Sequence, residues 1–257
     1  MYALLTAGGI PKPDEPLYAT TQGASKALLD IHGKPMIQWI IDALDDAQTV
    51  HGILIIGLPA DCGLTSQKPL QYLENQGGML DNILAGIRRV KELEPTAQHV
   101  LAASSDVPAV QPHMIDWVVQ TAMQTDDDLY YNVIEREVME TRFPGSRRSY
   151  THIKGGSYCG GDINLVRTIT VEENSVWNDI IESRKNVFKQ ASIIGWDLLF
   201  QLLLRQVTIN DAVKRISQRV GLKGRALICP YAEIGMDVDK PFQLEIMRAD
   251  LAQAVKP

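Results

Sequence analysis

This chain has no surplus of positive charge. Its 25 lysines and arginines are outnumbered by 31 aspartates and glutamates, giving a formal net charge of −6 at pH 7. DNA and RNA demand a basic surface, so nucleic acid is not an expected partner; a small anionic ligand held by a few local cations stays compatible. Cysteine is sparse and unpaired. Cys62, Cys159 and Cys229 lie far apart, form no Cys-x-x-Cys and cannot pair evenly, which predicts inert thiols in a reducing, cytoplasmic setting. Long apolar runs are missing too. The most apolar late stretch, "IIGWDLLFQLLL", is interrupted by Asp197 and falls short of the ~20 residues of a membrane span. A strand pattern begins at once, so no signal peptide is expected.

The common phosphate-binding strings are absent. The first glycine turn is neither Gly-x-Gly-x-x-Gly nor a P-loop ending in Gly-Lys-Ser/Thr. No Ser-His-Asp or Cys-His set stands out, and His32, His51, His99, His113 and His152 read as structural or surface residues.

What is present is regular alternation. "YALLT", "GILIIGL", "HVLAAS" and "DLYYNVIE" are apolar runs of strand length. Between them, "PMIQWIIDALDDA", "GGMLDNILAGIRRVKEL" and "QPHMIDWVVQTAMQ" carry helical spacing. Apolar strands separated by helices predict an α/β fold, a three-layer α/β/α sandwich around a mostly parallel sheet. After about residue 140 the pattern changes. A polar stretch rich in Gly and Arg reads as a loop or short hairpin, "DINLVRTI" as a strand, and a helical block follows before "GRALICP" and a closing helix at "KPFQLEIMRADLAQA". The whole chain, 1–257, reads as one domain with a helical insertion at about 140–220.

Ligands of open parallel sheets sit beyond the carboxyl ends of the strands, so the segments that follow the strands are the ones to inspect. After the first strand comes Ala7-Gly8-Gly9, where bare backbone admits a phosphate or a base. At the far end of that loop Lys26 enters the apolar segment "SKALLDI", and Lys12 lies inside the loop; either could hold a phosphate. After the third strand, "SSDVP" places Asp106 where it can ligate Mg2+ or form the turn. In "IGMDVDKPFQLE", Asp237 and Asp239 point to one side if the chain is extended, and Asp239 also suits a helix cap. Two such carboxylates need a cation or a lysine between them.

Taken in order, "LLTAGG…SKALLDIHGKPMIQWIIDAL…SSDVP…GMDVDKPFQLE" resembles the MobA-like NTP transferases. These are nucleotidyltransferases with a Rossmann-like, GT-A-type fold. The likeness is specific over residues 1–110 and 235–251 and loose between. It implies attack by an acceptor oxygen on the α-phosphorus of an NTP, with release of pyrophosphate and with Mg2+ (or Mn2+) as cofactor. It implies nucleotide-binding roles for Ala7, Gly8, Gly9, Lys12, Lys26, Gly78 and Asn82, catalytic roles for Lys26 and Asp106, and a metal set of Asp106, Asp237 and Asp239. Gly77 and Gly78 would admit the base, and Gly161 with Asp162 would meet the acceptor or ribose. Two departures stand out. Ser25 replaces a proline before the lysine, and the arginine that relatives carry soon after the glycines is missing from a longer loop.

A phosphorylated acceptor would suit the basic clusters Arg147–Arg148 and Arg184, Lys185 and Lys189 in the insertion. "IIGWDLLFQLLL" reads as a core helix, an acceptor pocket or a contact with a second copy of the chain. Two other readings compete. A glycosyltransferase using a nucleotide sugar shares the fold and an Asp-x-Asp string, and a non-catalytic nucleotide-binding domain would tolerate the missing arginine.

Overall fold

The computed structural model describes residues 1–173 and 195–253. Its main sheet contains β1 (Tyr2–Thr6), β4 (Gly52–Ile56), β5 (Leu70–Leu73), β6 (His99–Ser104), β7 (Leu129–Glu135), β10 (Ile163–Arg167) and β11 (Gly224–Cys229), with the short hairpin β8 (Thr151–Ile153) and β9 (Gly156–Gly160). A separate two-stranded ladder joins β2 (Asp30–Ile31) to β3 (Lys34–Pro35). The order runs β5-β4-β1-β6-β10-β7-β9-β8, and β11 pairs with the other edge of β7. The helices are α1 (Tyr18–Thr21), α2 (Met36–Asp46), α3 (Met79–Leu93), α4 (Pro112–Ala122), α5 (Arg136–Arg142), α6 (Thr170–Glu173), α7 (Trp196–Leu203), α8 (Ile209–Val220) and α9 (Pro241–Leu251).

The apolar strands are buried on both faces, as a parallel sheet covered by crossover helices requires. Ala3, Leu5, Ile53, Ile55, Leu101 and Ala103 point to the core shared with α2, α4 and α9. Their neighbours Leu4, Leu54, Ile56, Val100 and Ala102 point the other way, toward Ile87 and Val90 of α3. The expected three-layer sandwich is therefore formed. Burial pushes the Cys229 thiol up to about 12, in line with the inert thiols read from the sequence.

Three details differ from the expected elements. "LQYL" forms β5 beside β4, although a four-residue run with polar Gln71 gives little strand signal. The polar stretch after β7 begins with α5 before it reaches the hairpin. β10 runs antiparallel to both β6 and β7, because it continues the direction of β9, itself antiparallel to β7, after a two-residue break at Gly161 and Asp162. At this break the Gly161 N–H donates to Asn132 O (2.8 Å) and the Asp162 N–H to Ile234 O (2.8 Å). Asp162 O in turn accepts the Ser104 N–H at 2.9 Å, which brings Asp162 to the carboxyl end of β6.

Candidate active site

The chain runs from β1 to β4 on one side and returns to β6 on the other, so the carboxyl ends of β1 and β6 flank a topological switch point. A cleft of about 720 Å³ opens there. It is lined by Gly8 and Gly9 after β1, by Asn75, Gly77, Gly78 and Asn82 around the start of α3, and by Asp106, Asp162, Asp237 and Asp239 with Lys26.

The glycine turn is set from behind. Gly57 follows β4 at φ +104°, and a Cβ there would lie 2.5 Å from the Gly8 Cα, so only glycine lets β4 turn against this loop. On the cleft side the Asn75 amide donates to Gly8 O at 3.3 Å. Asn75 is itself held, since its Oδ1 accepts the Gly77 N–H (3.0 Å) and the Asn82 Nδ2 (3.2 Å). Asn82 Oδ1 accepts the Gln76 N–H at 2.7 Å. Asn82 is buried, and its amide fastens the loop before α3 to the glycine turn.

Lys26 does not start a strand. It opens a 3-10 turn, Lys26–Leu28, for which Ser25 is the cap. The Ser25 hydroxyl donates to Ala7 O (2.9 Å) and accepts the Ala27 N–H (3.3 Å), and the Lys26 N–H donates to Gly9 O (3.0 Å). The serine that departs from the family pattern thus anchors the lysine to the glycine turn. The Lys26 ammonium lies 2.5 Å from Asp106 Oδ2 and 2.6 Å from Asp239 Oδ1. Burial lowers the affinity of Lys26 for its proton, but Asp106 and then Asp239 outweigh it and hold the pKa well above the usual lysine value. Asp106 is buried and fixed: Ser104 Oγ donates to its Oδ1 at 2.5 Å, and Asp106 O accepts the Val238 N–H at 3.0 Å.

Asp237 and Asp239 reach the same cleft but take different partners. Asp237 pairs with Arg148, whose guanidinium also approaches Asp162 at 4.0 Å. Gln243 ties the two segments together, accepting the Asp239 N–H at 3.0 Å and donating to Ser146 O at 3.4 Å. Arg148, grouped by sequence with the acceptor-side cations, turns inward to the acidic pair instead. Nothing in "SRRS" distinguishes it from Arg147, which takes a left-handed backbone at φ +51°. Asp162 Oδ2 and Asp237 Oδ1, the two oxygens that face the Arg148 guanidinium, are both buried. Burial first, then the charge of Asp106, pushes the Asp162 carboxyl up to about 7, against the pull of Arg148.

Two carboxylates that converge on one ammonium are hard oxygen donors of the kind Mg2+ takes, with water and phosphate completing its shell. Asp106 and Asp239 fit that description. Among the described residues no three His, Cys, Asp or Glu side chains form a metal-holding group, and Asp237 is engaged by Arg148.

Residues 18–203 match the model of the MobA-like NTP transferase domain. The chain belongs to the MobA-like NTP transferase family. The matched span includes Lys26, Asn82, Asp106 and Asp162 and ends before Asp237. A hypothetical transferase structure from Thermus thermophilus superposes with a TM-score of 0.82 at 27% identity, covering 95% of this chain and 98% of that one. Two more distant structures share the fold. A CMP:2-keto-3-deoxy-manno-octonic acid synthetase complexed with CTP gives a TM-score of 0.61 at 14% identity, covering 99% of each chain. A 2-C-methyl-D-erythritol 4-phosphate cytidylyltransferase, also from Thermus thermophilus, gives 0.54 at 13%, covering 98% of each. No curated protein matches the chain.

The remaining sequence-based candidates divide. Ala7 is buried under the glycine turn. Lys12 is exposed and not among the residues lining the cleft; its N–H donates to Glu15 at 2.9 Å. Gly161 sits at the β9–β10 break beside Asp162. Arg184 and Lys185 lie outside the described residues. In α7, Leu198 is buried and Phe200 exposed, so the helix is not wholly core. Sequence reading missed Asn75 and Ser104, and gave Arg148 to the acceptor side where it pairs with Asp237. Ser104 alone carried a signal, standing two residues before Asp106.

Proposed function

We propose that this protein is a nucleotidyltransferase that moves an NMP group from an NTP to a phosphorylated small-molecule acceptor. The acceptor oxygen attacks the α-phosphorus, the bond from that phosphorus to the bridging oxygen breaks, and pyrophosphate leaves. One observation carries this reading: Lys26 and two carboxylates converge beside the Gly8-Gly9 turn, at the switch point of a sheet that belongs to an NTP transferase family.

The chain's own residues divide the work. The glycine turn offers close backbone approach to the nucleotide, and the loop at Gly77-Gly78 admits the base. The Lys26 ammonium neutralises phosphate charge. A phosphate acceptor is already ionised at neutral pH, so no histidine base is required. Asp106 and Asp239 would hold Mg2+ or Mn2+, which neutralises phosphate charge and aligns the reacting groups when bound. Asp237 stands beside that pair and, held by Arg148, contributes charge to it. The insertion, from about residue 140 to 220, selects the acceptor, with Asp162 facing it and Arg184 and Lys185 adding cations. No helix among the described residues is long and apolar enough to cross a membrane, and the cysteine content supports a cytoplasmic setting.

The test is incubation with each NTP, Mg2+ and a panel of phosphorylated acceptors, with pyrophosphate measured. One NTP and acceptor pair should release pyrophosphate in step with product. Release of a nucleoside diphosphate from a nucleotide sugar instead would make the protein a glycosyltransferase.

A further inference from the structure

Two cations hold the four aspartates of the cleft, and they are held differently. The Arg148 side chain is largely buried between Asp162 and Asp237, and its loop is tied to the Asp239 backbone through Gln243. Lys26 bridges Asp106 and Asp239 from a four-carbon stem, and the Asp239 side chain is 53% exposed. The backbone of Lys26 is fixed by Gly9 O and the Ser25 cap, so the ammonium can move without the turn moving. Its stem lies over Gly9, with Cε 3.3 Å from where a Cβ would stand. An ammonium leaving the carboxylates therefore stays beside the glycine turn.

We propose that the Lys26 ammonium is a built-in placeholder for the divalent cation, exchanging with it when the nucleotide arrives. This rests on the nucleotidyltransferase reading. The charge count favours the exchange. Two carboxylates against one ammonium leave one negative charge uncompensated, whereas a divalent ion balances both and frees the ammonium for phosphate. Without a nucleotide the released ammonium has no new anionic partner, so the metal alone competes poorly. With a triphosphate present, each arrival favours the other, and the two bindings are positively coupled. The site then closes on the metal–nucleotide pair and does not fill with metal alone.

The experiment measures Mn2+ affinity of the nucleotide-free protein by calorimetry and by the spin resonance of free Mn2+. Lys26→Met removes the competitor and should bind Mn2+ more tightly by about tenfold or more, within the usual span of site couplings. Lys26→Arg keeps the charge and should bind Mn2+ as the wild type does. Adding Asp239→Asn to Lys26→Met should cancel the gain. Unchanged or weaker Mn2+ binding by Lys26→Met, with circular dichroism showing it folded, overturns the exchange; so does a gain that survives loss of Asp239. Because these measurements contain no nucleotide, they stand apart from the functional reading. That reading fails separately if the wild type binds none of the four NTPs in the presence of Mn2+.

Discussion

Replacing Asn82 with alanine separates two roles that its position allows. The side chain is buried, takes the Gln76 N–H at 2.7 Å and gives its amide to Asn75 at 3.2 Å. Asn75 passes the restraint to Gly77 and to Gly8 O. Each neutral hydrogen bond contributes ~0.5–1.5 kcal/mol, and a donor left unsatisfied in a buried place costs ~1–3 kcal/mol. Two lost bonds with the Gln76 N–H partly rehydrated come to ~2–3 kcal/mol, or about 5–10 °C in melting temperature for a chain of this size. A clamp of this kind acts on loop geometry, so affinity for all four NTPs should fall by a similar factor. The assay pairs thermal melting with calorimetric binding of ATP, CTP, GTP and UTP. If Asn82→Ala melts with the wild type and instead changes preference among the bases, the side chain reads the base directly, and the clamp argument is refuted.

Further perturbations probe the other parts of the cleft. Lys26→Ala should reduce NTP binding and turnover more than Lys12→Ala, since only Lys26 lines the cleft; a larger loss at Lys12 in steady-state kinetics would move the phosphate contact into the long loop. Asp162→Asn should stabilise the protein at pH 8 in the presence of a chelator and do little at pH 4. The carboxyl titrates at about 7 when folded against 3.8 ordinarily, so the folded state holds the extra proton between these values and wild-type stability falls as pH rises through them. A urea midpoint difference that is the same at both pH values would contradict this. Gly57→Ala places a methyl group 2.5 Å from the Gly8 backbone at φ +104°. Left-handed strain and overpacking together should cost ~2–5 kcal/mol, and nucleotide affinity should fall with it, both measurable by melting and calorimetry.

The sequence by itself determined the layers and the places where chemistry could sit. Continuous runs such as "GILII" can be buried only on both faces, so sheet and helices followed from periodicity, and Ala7-Gly8-Gly9, Lys26, Asp106 and the Asp237–Asp239 pair stood at strand ends or in the closing segment, while the strand order that makes the switch point came only with the fold. What periodicity does not encode is pairing across distance. Lys26 and Asp239 are separated by 213 positions, and only the folded sheet and the packing of α9 bring them within 2.6 Å. Spacing put Asp237 and Asp239 on one side of an extended segment, yet tertiary contacts gave one to Arg148 and the other to Lys26. The direction of β10 was equally hidden, because it follows from β9 pairing back onto β7 and running on past Gly161 and Asp162, and so was the inward turn of Arg148 next to an outward Arg147. Local sequence fixes which side chains can bear charge near the strand ends; which opposite charge each one meets is decided by long-range closure of the chain, where burial makes an unpaired charge too costly to leave.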